Sequence, residues 1–180
     1  MASFSEKPTI EGEHVRLRPL VSGDADDMWA DLADEDGLRL TGTHDSFTRE
    51  QIDAWCASRA DQSDRLDLAV VERSSGAWAG EVVLCDWDAD NASCSFRIAL
   101  RASAQNRGLG SEATRLIVDY AFAELGVHRI ELEVFAFNPR AIAVYERAGF
   151  VHEGVRRDAL QWDGEWVDAL VMAMVATDRV

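Results

Sequence analysis

The feature that most constrains this chain is a glycine-broken joint, Gln105-Asn106-Arg107-Gly108-Leu109-Gly110-Ser111-Glu112-Ala113. Before it, residues 93–100 read as a strand. After it, Leu109, Ala113, Leu116, Ile117, Tyr120 and Ala121 recur at helical spacing until Gly126. Glycines at such a joint let the backbone turn sharply and let a ligand approach it closely. The first N–H groups of a helix have no internal partner and, with the helix dipole, attract an anion. Arg107 adds a charge-assisted donor. On these residues alone two readings stay open, a phosphate cradle and a plain tight turn.

Two known phosphate motifs can be weighed against it. A P-loop needs lysine before its Ser or Thr, and Gly110 directly precedes Ser111, so that motif is excluded. Gly108-x-Gly110-x-x-Ala113, with Glu131 downstream, does fit a dinucleotide fingerprint. Three features count against it. Residues 101–105 separate the loop from its strand, only 70 residues follow Gly110, and the chain closes on what reads as an antiparallel pair.

The rest of the chain supplies the setting. Residues 15–18 alternate apolar and basic as a half-buried strand does, and Pro19 stops them. Ser22 or Asp24 can cap a helix with Met28, Trp29 and Leu32 on its apolar side. Thr48 and Gln51 form a capping box ahead of Ile52, Trp55 and Cys56. Residues 66–71, 78–87 and 93–100 read as strands of a meander. Residues 129–134 alternate strictly. Asn138-Pro139 then opens a helix lined by Ala141, Val144, Tyr145 and Ala148, which Gly149 ends. Residues 151–156 and 166–176 read as the last strands. With 180 residues, no linker and no repeat, one α/β domain over 1–180 is expected.

Charge narrows the partners. The net charge is −15, which excludes an overall basic footprint for nucleic acid. Residues 97–147 differ, with seven arginines against six carboxylates. Residues 24–36 carry seven acids and no Lys or Arg, which suits a cationic guest. Cys56, Cys85 and Cys94 are too dispersed for a disulfide framework or zinc site, so no metal is expected. No apolar run approaches bilayer length and residues 1–8 lack an apolar signal core, so the expected setting is cytoplasmic, without membrane contact.

Gln105-x-x-Gly108-x-Gly110 resembles the acetyl-CoA motif of the GNAT (Gcn5-related N-acetyltransferase) superfamily. Residues 138–150, NPRAIAVYERAGF, resemble its second signature, Asn-x-x-Ala-x-x-x-Tyr-x-x-x-Gly-Phe, at the expected separation. The opening Arg16-Leu17-Arg18-Pro19-Leu20 and the ending from Glu153 to Asp168 are similar to the ribosomal-protein-alanine N-acetyltransferase branch, RimJ/RimL-like. The resemblance implies a single-domain α/β GNAT fold, with a mixed, mostly antiparallel sheet, two splayed central strands, here 93–100 and 129–136, and flanking helices. It implies that Ile98, Ala99 and Leu100 bind the pantetheine arm through backbone groups. Gln105, Asn106, Arg107, Gly108, Leu109, Gly110 and Ser111 would cradle the pyrophosphate. Asn138 would bond the arm, Arg140 would lie near a phosphate, and Tyr145 would protonate the departing thiolate. A homodimer is a family-level expectation.

The acetylation would then be direct attack of a primary amine on the thioester, since neither signature holds a cysteine to carry the acyl group. At pH 7, deprotonating a side-chain amine of pKa near 10.4 costs roughly 4–5 kcal/mol, and an α-amine of 7.7–8.0 only about 1–1.4. A weakly acidic amine therefore needs a placed base, for which Glu81, Glu131 and Glu133 are the carboxylate candidates. Trp87, Trp162 and Trp166 are candidate walls of an acceptor pocket. Part of the ribosomal branch has serine where this chain has Ala141, which leaves Tyr145 as the proton donor. The acceptor classes are a peptide N-terminus and a small cationic amine. The alternative is a non-catalytic module that senses acyl-CoA.

Overall fold

A computed structural model describes residues 4–179. The elements in order are β1 (Ile10–Glu11), β2 (Val15–Pro19), α1 (Ala25–Asp31), α2 (Glu35–Thr41), α3 (Arg49–Ser58), β3 (Leu66–Glu72), β4 (Trp78–Asp88) and β5 (Ser93–Leu100), then α4 (Leu109–Ala123), β6 (Arg129–Phe135), α5 (Pro139–Ala148), β7 (Val151–Trp162) and β8 (Glu165–Val175). The strands form one sheet in the order β1-β2-β3-β4-β5-β6-β8-β7. Every neighbouring pair is antiparallel except β5 and β6. The parallel series of a dinucleotide fold is absent from this sheet.

Alternation along the strands builds two cores. Leu66, Leu68 and Val70 of β3, Val82 of β4, Phe96 of β5 and Ile130 of β6 face α4 and α5, where Ile117 and Tyr145 meet them. Ala69, Val71 and Trp78 face the other way and pack with Ile52 and Cys56 of α3 and Met28 of α1. Burial of these side chains, worth about 1.5–3 kcal/mol each for the larger ones, is what sandwiches the sheet between helices.

The sheet is zipped incompletely at its centre. β5 and β6 pair only at Ser93↔Arg129, Cys94↔Ile130 and Ser95↔Glu131. Beyond that point β5 stays with β4 as far as Gly80↔Leu100, and β6 stays with β8 as far as Phe135↔Ala169. The two strands therefore splay, as the family resemblance implies. A bulge in β4, where Ala79 is extra between the Val70↔Gly80 and Val71↔Trp78 pairs, lies across from the departing end of β5. Bulges sharpen local twist.

Four features differ from the sequence reading. The two-residue β1 has no counterpart in it, being too short to show an alternation. Helix α2 has no counterpart in it, because Glu35–Thr41 is short, contains Gly37 and buries no residue. Trp29 and Trp55, expected on apolar faces, remain 39% and 37% exposed. The short α1 turns Ala25 and Met28 inward, and the outer face of Trp55 carries the Arg59 guanidinium 3.7 Å from its ring centroid. The last hairpin is longer than the stretch read from 151 to 156. Three residues, 157–159, bulge between the Arg156↔Ala169 and Leu160↔Val167 pairs, which breaks the alternation. No helix among the described residues is long and apolar enough to cross a membrane.

Gly80 offers a test of the β4–β5 packing. Its φ is +144°, and an added Cβ would fall 2.0 Å from the Ala99 carbonyl oxygen. Gly80→Ala is expected to lower stability by about 2–4 kcal/mol in urea unfolding. A loss below about 0.5 kcal/mol would contradict this close approach.

Candidate active site

The glycine joint becomes a row of unused donors. Asn106 and Gly108 both take positive φ, 60° and 79°, which turns successive N–H groups to one side as an anion nest does. Among the described residues, no backbone N–H from 106 to 111 donates to another group. The first helical bond is Glu112 N–H to the Gly108 carbonyl at 3.1 Å. Leu109 is buried in the core, and Thr114 Oγ1 donates to the Gly110 carbonyl at 2.7 Å, which fixes the first turn. At Gly110 a Cβ would lie 3.0 Å from Leu100 Cδ1, so glycine lets α4 seat against β5.

Side chains brace this loop. Gln105 Nε2 donates to the Leu100 carbonyl at 3.0 Å. Arg140, in the first turn of α5, donates to Asn106 Oδ1 at 2.6 Å and Gln105 Oε1 at 3.2 Å. Arg140 thus joins α5 to the loop across the mouth of the gap. The Arg107 guanidinium, expected to help hold an anion, is instead paired with Glu72 of β3. Asn138 Oδ1 caps α5 by accepting the Ala141 N–H at 3.2 Å, while its amide nitrogen makes no bond to a described residue. Ile98, Ala99 and Leu100 are half-buried on the unzipped edge of β5.

Tyr145 stands at the base of the splay. Its ring meets Phe96 edge-on at 5.9 Å, and Phe96 is the first β5 residue past the last β5–β6 pair. Phe150 makes a second edge contact at 6.0 Å, and the three rings form a triangle, since Phe96 and Phe150 lie 6.1 Å apart. Burial pushes the phenol up to about 12, so it stays protonated, and no described residue hydrogen-bonds its hydroxyl.

Glu81 lies on the opposite face of the sheet. In register it pairs with Ala69 and Ala99, the side covered by α1 and α3. Part of the residue reaches solvent, but Oε2 is sealed and has no hydrogen-bond partner among the described residues. Desolvation, with the nearby Asp67 charge, pushes this carboxyl up to about 7. Asp67 itself is buried and held by Arg65 at 2.7 and 2.8 Å. The other two carboxylate candidates are different. Glu133 is exposed and paired with Arg156, and Glu131 is exposed and paired with Arg129.

Four of the seven acids in the run 24–36 are tied to arginines. Arg18 grips both oxygens of Asp24, at 2.8 and 2.6 Å. Arg101 holds Asp27 and Asp31, and Trp78 Nε1 donates to Asp31 at 2.8 Å. Asp26 pairs with Arg49. Asp34, Glu35 and Asp36 make no such contact among the described residues. Sequence reasoning missed Glu72, Arg65, Asp67 and Arg101 as organisers, since all but Arg65 and Asp67 pair across long separations. Of the three tryptophans considered as pocket walls, Trp87 packs on Phe4 at 5.1 Å and Trp166 is 62% exposed. Trp162 stacks on His44 at 4.9 Å.

From the nest a groove of about 810 Å³ runs between α4 and α5, lined by Gly108, Ser111 and Arg115 on one wall and Val144 and Arg147 on the other. A nest of free donors, an unzipped strand edge and a buried phenol at the base of the splay adjoin one another in this part of the fold. The chain matches the acetyltransferase (GNAT) domain family over residues 14–151, and it belongs to that family. It is 44% identical to the probable N-acetyltransferase YjcK of Bacillus subtilis over 72 residues, 40% of each chain, so the match spans less than half of that relative. It is 25% identical to the putative ribosomal N-acetyltransferase YdaF of the same organism over 91% of this chain and 92% of that one. The crystal structure of the Vibrio cholerae spermidine N-acetyltransferase in complex with CoA and spermine superposes with a TM-score of 0.86, at 21% identity, over 93% of this chain and 98% of that chain.

The Glu81 environment makes a stability prediction. The unfolded chain ionises this carboxyl near 4.5 and the folded chain near 7. Folding stability should therefore fall as pH rises from about 4.5 to about 7 and then level off. Glu81→Gln removes that loss, so urea midpoints should show the variant gaining on the parent between pH 5 and pH 8. An identical difference at both pH values would mean the carboxyl is not desolvated.

Proposed function

We propose that this chain transfers acetyl from acetyl-CoA to a primary amine by direct attack within a ternary complex. The observation that carries the reading is the row of unbonded N–H groups from 106 to 111 beside the unzipped β5 edge, with Tyr145 on one face and Glu81 on the other. Acetyl-CoA, when bound, supplies the activated acyl thioester. The nest N–H groups would hold its pyrophosphate, with Gly108 and Gly110 keeping side chains out of the way. Backbone groups at Ile98, Ala99 and Leu100 and the amide nitrogen of Asn138 would hold the pantetheine arm.

The residues then divide the proton work. The amine nitrogen bonds to the acyl carbon as the carbon–sulfur bond breaks. Tyr145 donates its phenolic proton to the leaving sulfur. Glu81, ionised above about 7, accepts a proton from the attacking amine, directly or through one water. No cysteine is needed. Cys94 is buried with its thiol pushed up to about 12, the opposite of an activated nucleophile.

The acceptor in this reading is a protein or peptide N-terminal α-amine or a small cationic amine. The ribosomal name of YdaF supports the first and the spermidine name of the Vibrio enzyme the second. Neutralisation of Asp24, Asp26, Asp27 and Asp31 removes much of the attraction for a polycation and favours the α-amine, which needs less help from a base. Three free, buried cysteines suit a reducing, cytoplasmic setting.

Thiol release from acetyl-CoA across free-N-terminus peptides, polyamines, aminoglycosides and amino acids tests the activity. Release with one class establishes it; intact acetyl-CoA binding with no release from any acceptor supports a sensor. Tyr145→Phe is expected to cut turnover by roughly 100-fold or more while the acetyl-CoA Kd stays within about threefold. Unchanged turnover would remove Tyr145 from the mechanism. In the parent, kcat/KM should rise with pH through two ionisations, that of Glu81 near 7 and the higher one of the acceptor amine, and Glu81→Gln should remove only the lower.

A further inference from the structure

We infer that Lys7 is a withheld acetylation site: the folded chain offers no side-chain amine to the acyl group it handles, and acetylating Lys7 unties the segment 4–8 from the body of the fold. Lys and Arg together number 18, and Lys7 is the one lysine among them. The guanidinium groups of the others stay protonated in a protein, so they are no acyl acceptors. The donor, acetyl-CoA, is taken from the reading above. The site itself is read from Lys7 and its partners.

Lys7 Nζ donates to three main-chain carbonyls, those of Phe4 at 2.7 Å, Gln62 at 2.7 Å and Arg65 at 2.6 Å. An ammonium carries three N–H donors, and all three are spent. The carbonyls come from two parts of the chain. Phe4 is fully buried, and its ring lies 5.1 Å from that of Trp87 on β4. Gln62 and Arg65 lie in the connection between α3 and β3. Arg65 goes on to hold Asp67 of β3 at 2.7 and 2.8 Å. Lys7 thus ties the segment that leads into β1 to the start of β3, across 55 and 58 residues of chain.

Two effects oppose each other at this amine. Burial lowers its pKa, with Asp67 pulling the other way. A lower pKa frees more of the lone pair and by itself makes a faster nucleophile. Geometry works against it. The lone pair forms only when one N–H is withdrawn from its carbonyl, and attack then needs Nζ to leave the other two. Each bond from a charged donor is worth about tenfold or more, so three outweigh the gain in lone pair. Acetylation joins Nζ to the acyl carbon and breaks the carbon–sulfur bond. The ammonium gives up two protons, one to the departing thiolate and one to water. The amide left behind has one N–H and no charge, so two of the three carbonyls lose their donor.

Labelling of the full chain with N-hydroxysuccinimidyl acetate, a small amine reagent, tests this. Mass spectrometry of the peptides that contain Lys7 separates this site from any α-amine. At one pH, Lys7 should be labelled at least about tenfold more slowly in the native chain than in the chain unfolded by urea. A native rate within about tenfold of the unfolded one overturns the inference. Chain acetylated while unfolded and then refolded should unfold at lower urea than mock-treated chain. Lys7→Arg carried through the same treatment should show no such drop. Failure of the acetylated parent to refold, where treated Lys7→Arg does refold, counts as that drop. Equal midpoints for acetylated and mock-treated parent, or an equal drop in Lys7→Arg, overturn the tether. With acetyl-CoA as the donor, native Lys7 should stay unlabelled, and labelling there overturns the inference. Absence of acetyl-CoA binding removes the proposed activity and leaves the labelling ratio standing.

Discussion

The site depends on hydrogen bonds that the backbone does not make. β5 and β6 share three register pairs and then part, and the loop that follows β5 leaves its N–H groups without partners. Unpaired backbone groups are costly when they are shut away from water, so a fold keeps them only where solvent or a ligand reaches them. Here the two sets adjoin. A chain of phosphates and amides can complete both, bonding to the loop at one end and to the strand edge along the other. What makes the gap tolerable is that each flanking strand is fully laddered on its far side, β5 to β4 and β6 to β8.

The sheet also separates two chemistries. On the α4–α5 side, Tyr145 is packed against the touching pair Phe96 and Phe150, and burial keeps its proton in place. On the α1–α3 side, Glu81 is a carboxyl whose sealed oxygen raises its affinity for a proton to near neutrality. In the proposed reaction, which must deliver a proton to sulfur and remove one from nitrogen, Tyr145 and Glu81 would act from opposite faces of the sheet. If the two shared a face, their proximity would couple their titrations, and the acceptor could draw the donor's proton instead of the substrate's.

Much of this was legible in the residues. The strand–glycine–helix joint, the Asn138-Pro139 helix start, the Thr48–Gln51 box and the strands β2 to β6 follow from local rules, in which a side chain acts on backbone within four residues. The resemblance carried by Gly108, Gly110 and Tyr145 placed the splay between the correct strands. Helix α2 escaped because it has no buried stripe to announce it. The length of β7 escaped because its bulge at 157–159 breaks alternation. The acidic run read as a lure for cations, yet Arg18, Arg49 and Arg101 pair with four of its seven acids.

The sequence by itself determined the order of elements apart from β1 and α2, the position of the donor-rich loop and the identity of Tyr145 as the phenol of the second signature. Those are consequences of spacing, turn chemistry and motif. Only the tertiary structure decided which of Glu81, Glu131 and Glu133 is desolvated and which acids are neutralised. It likewise decided that Arg107 turns to Glu72. Desolvation and ion pairing depend on neighbours tens of residues away in the chain, and those neighbours are brought together only when the sheet and its two helical layers close.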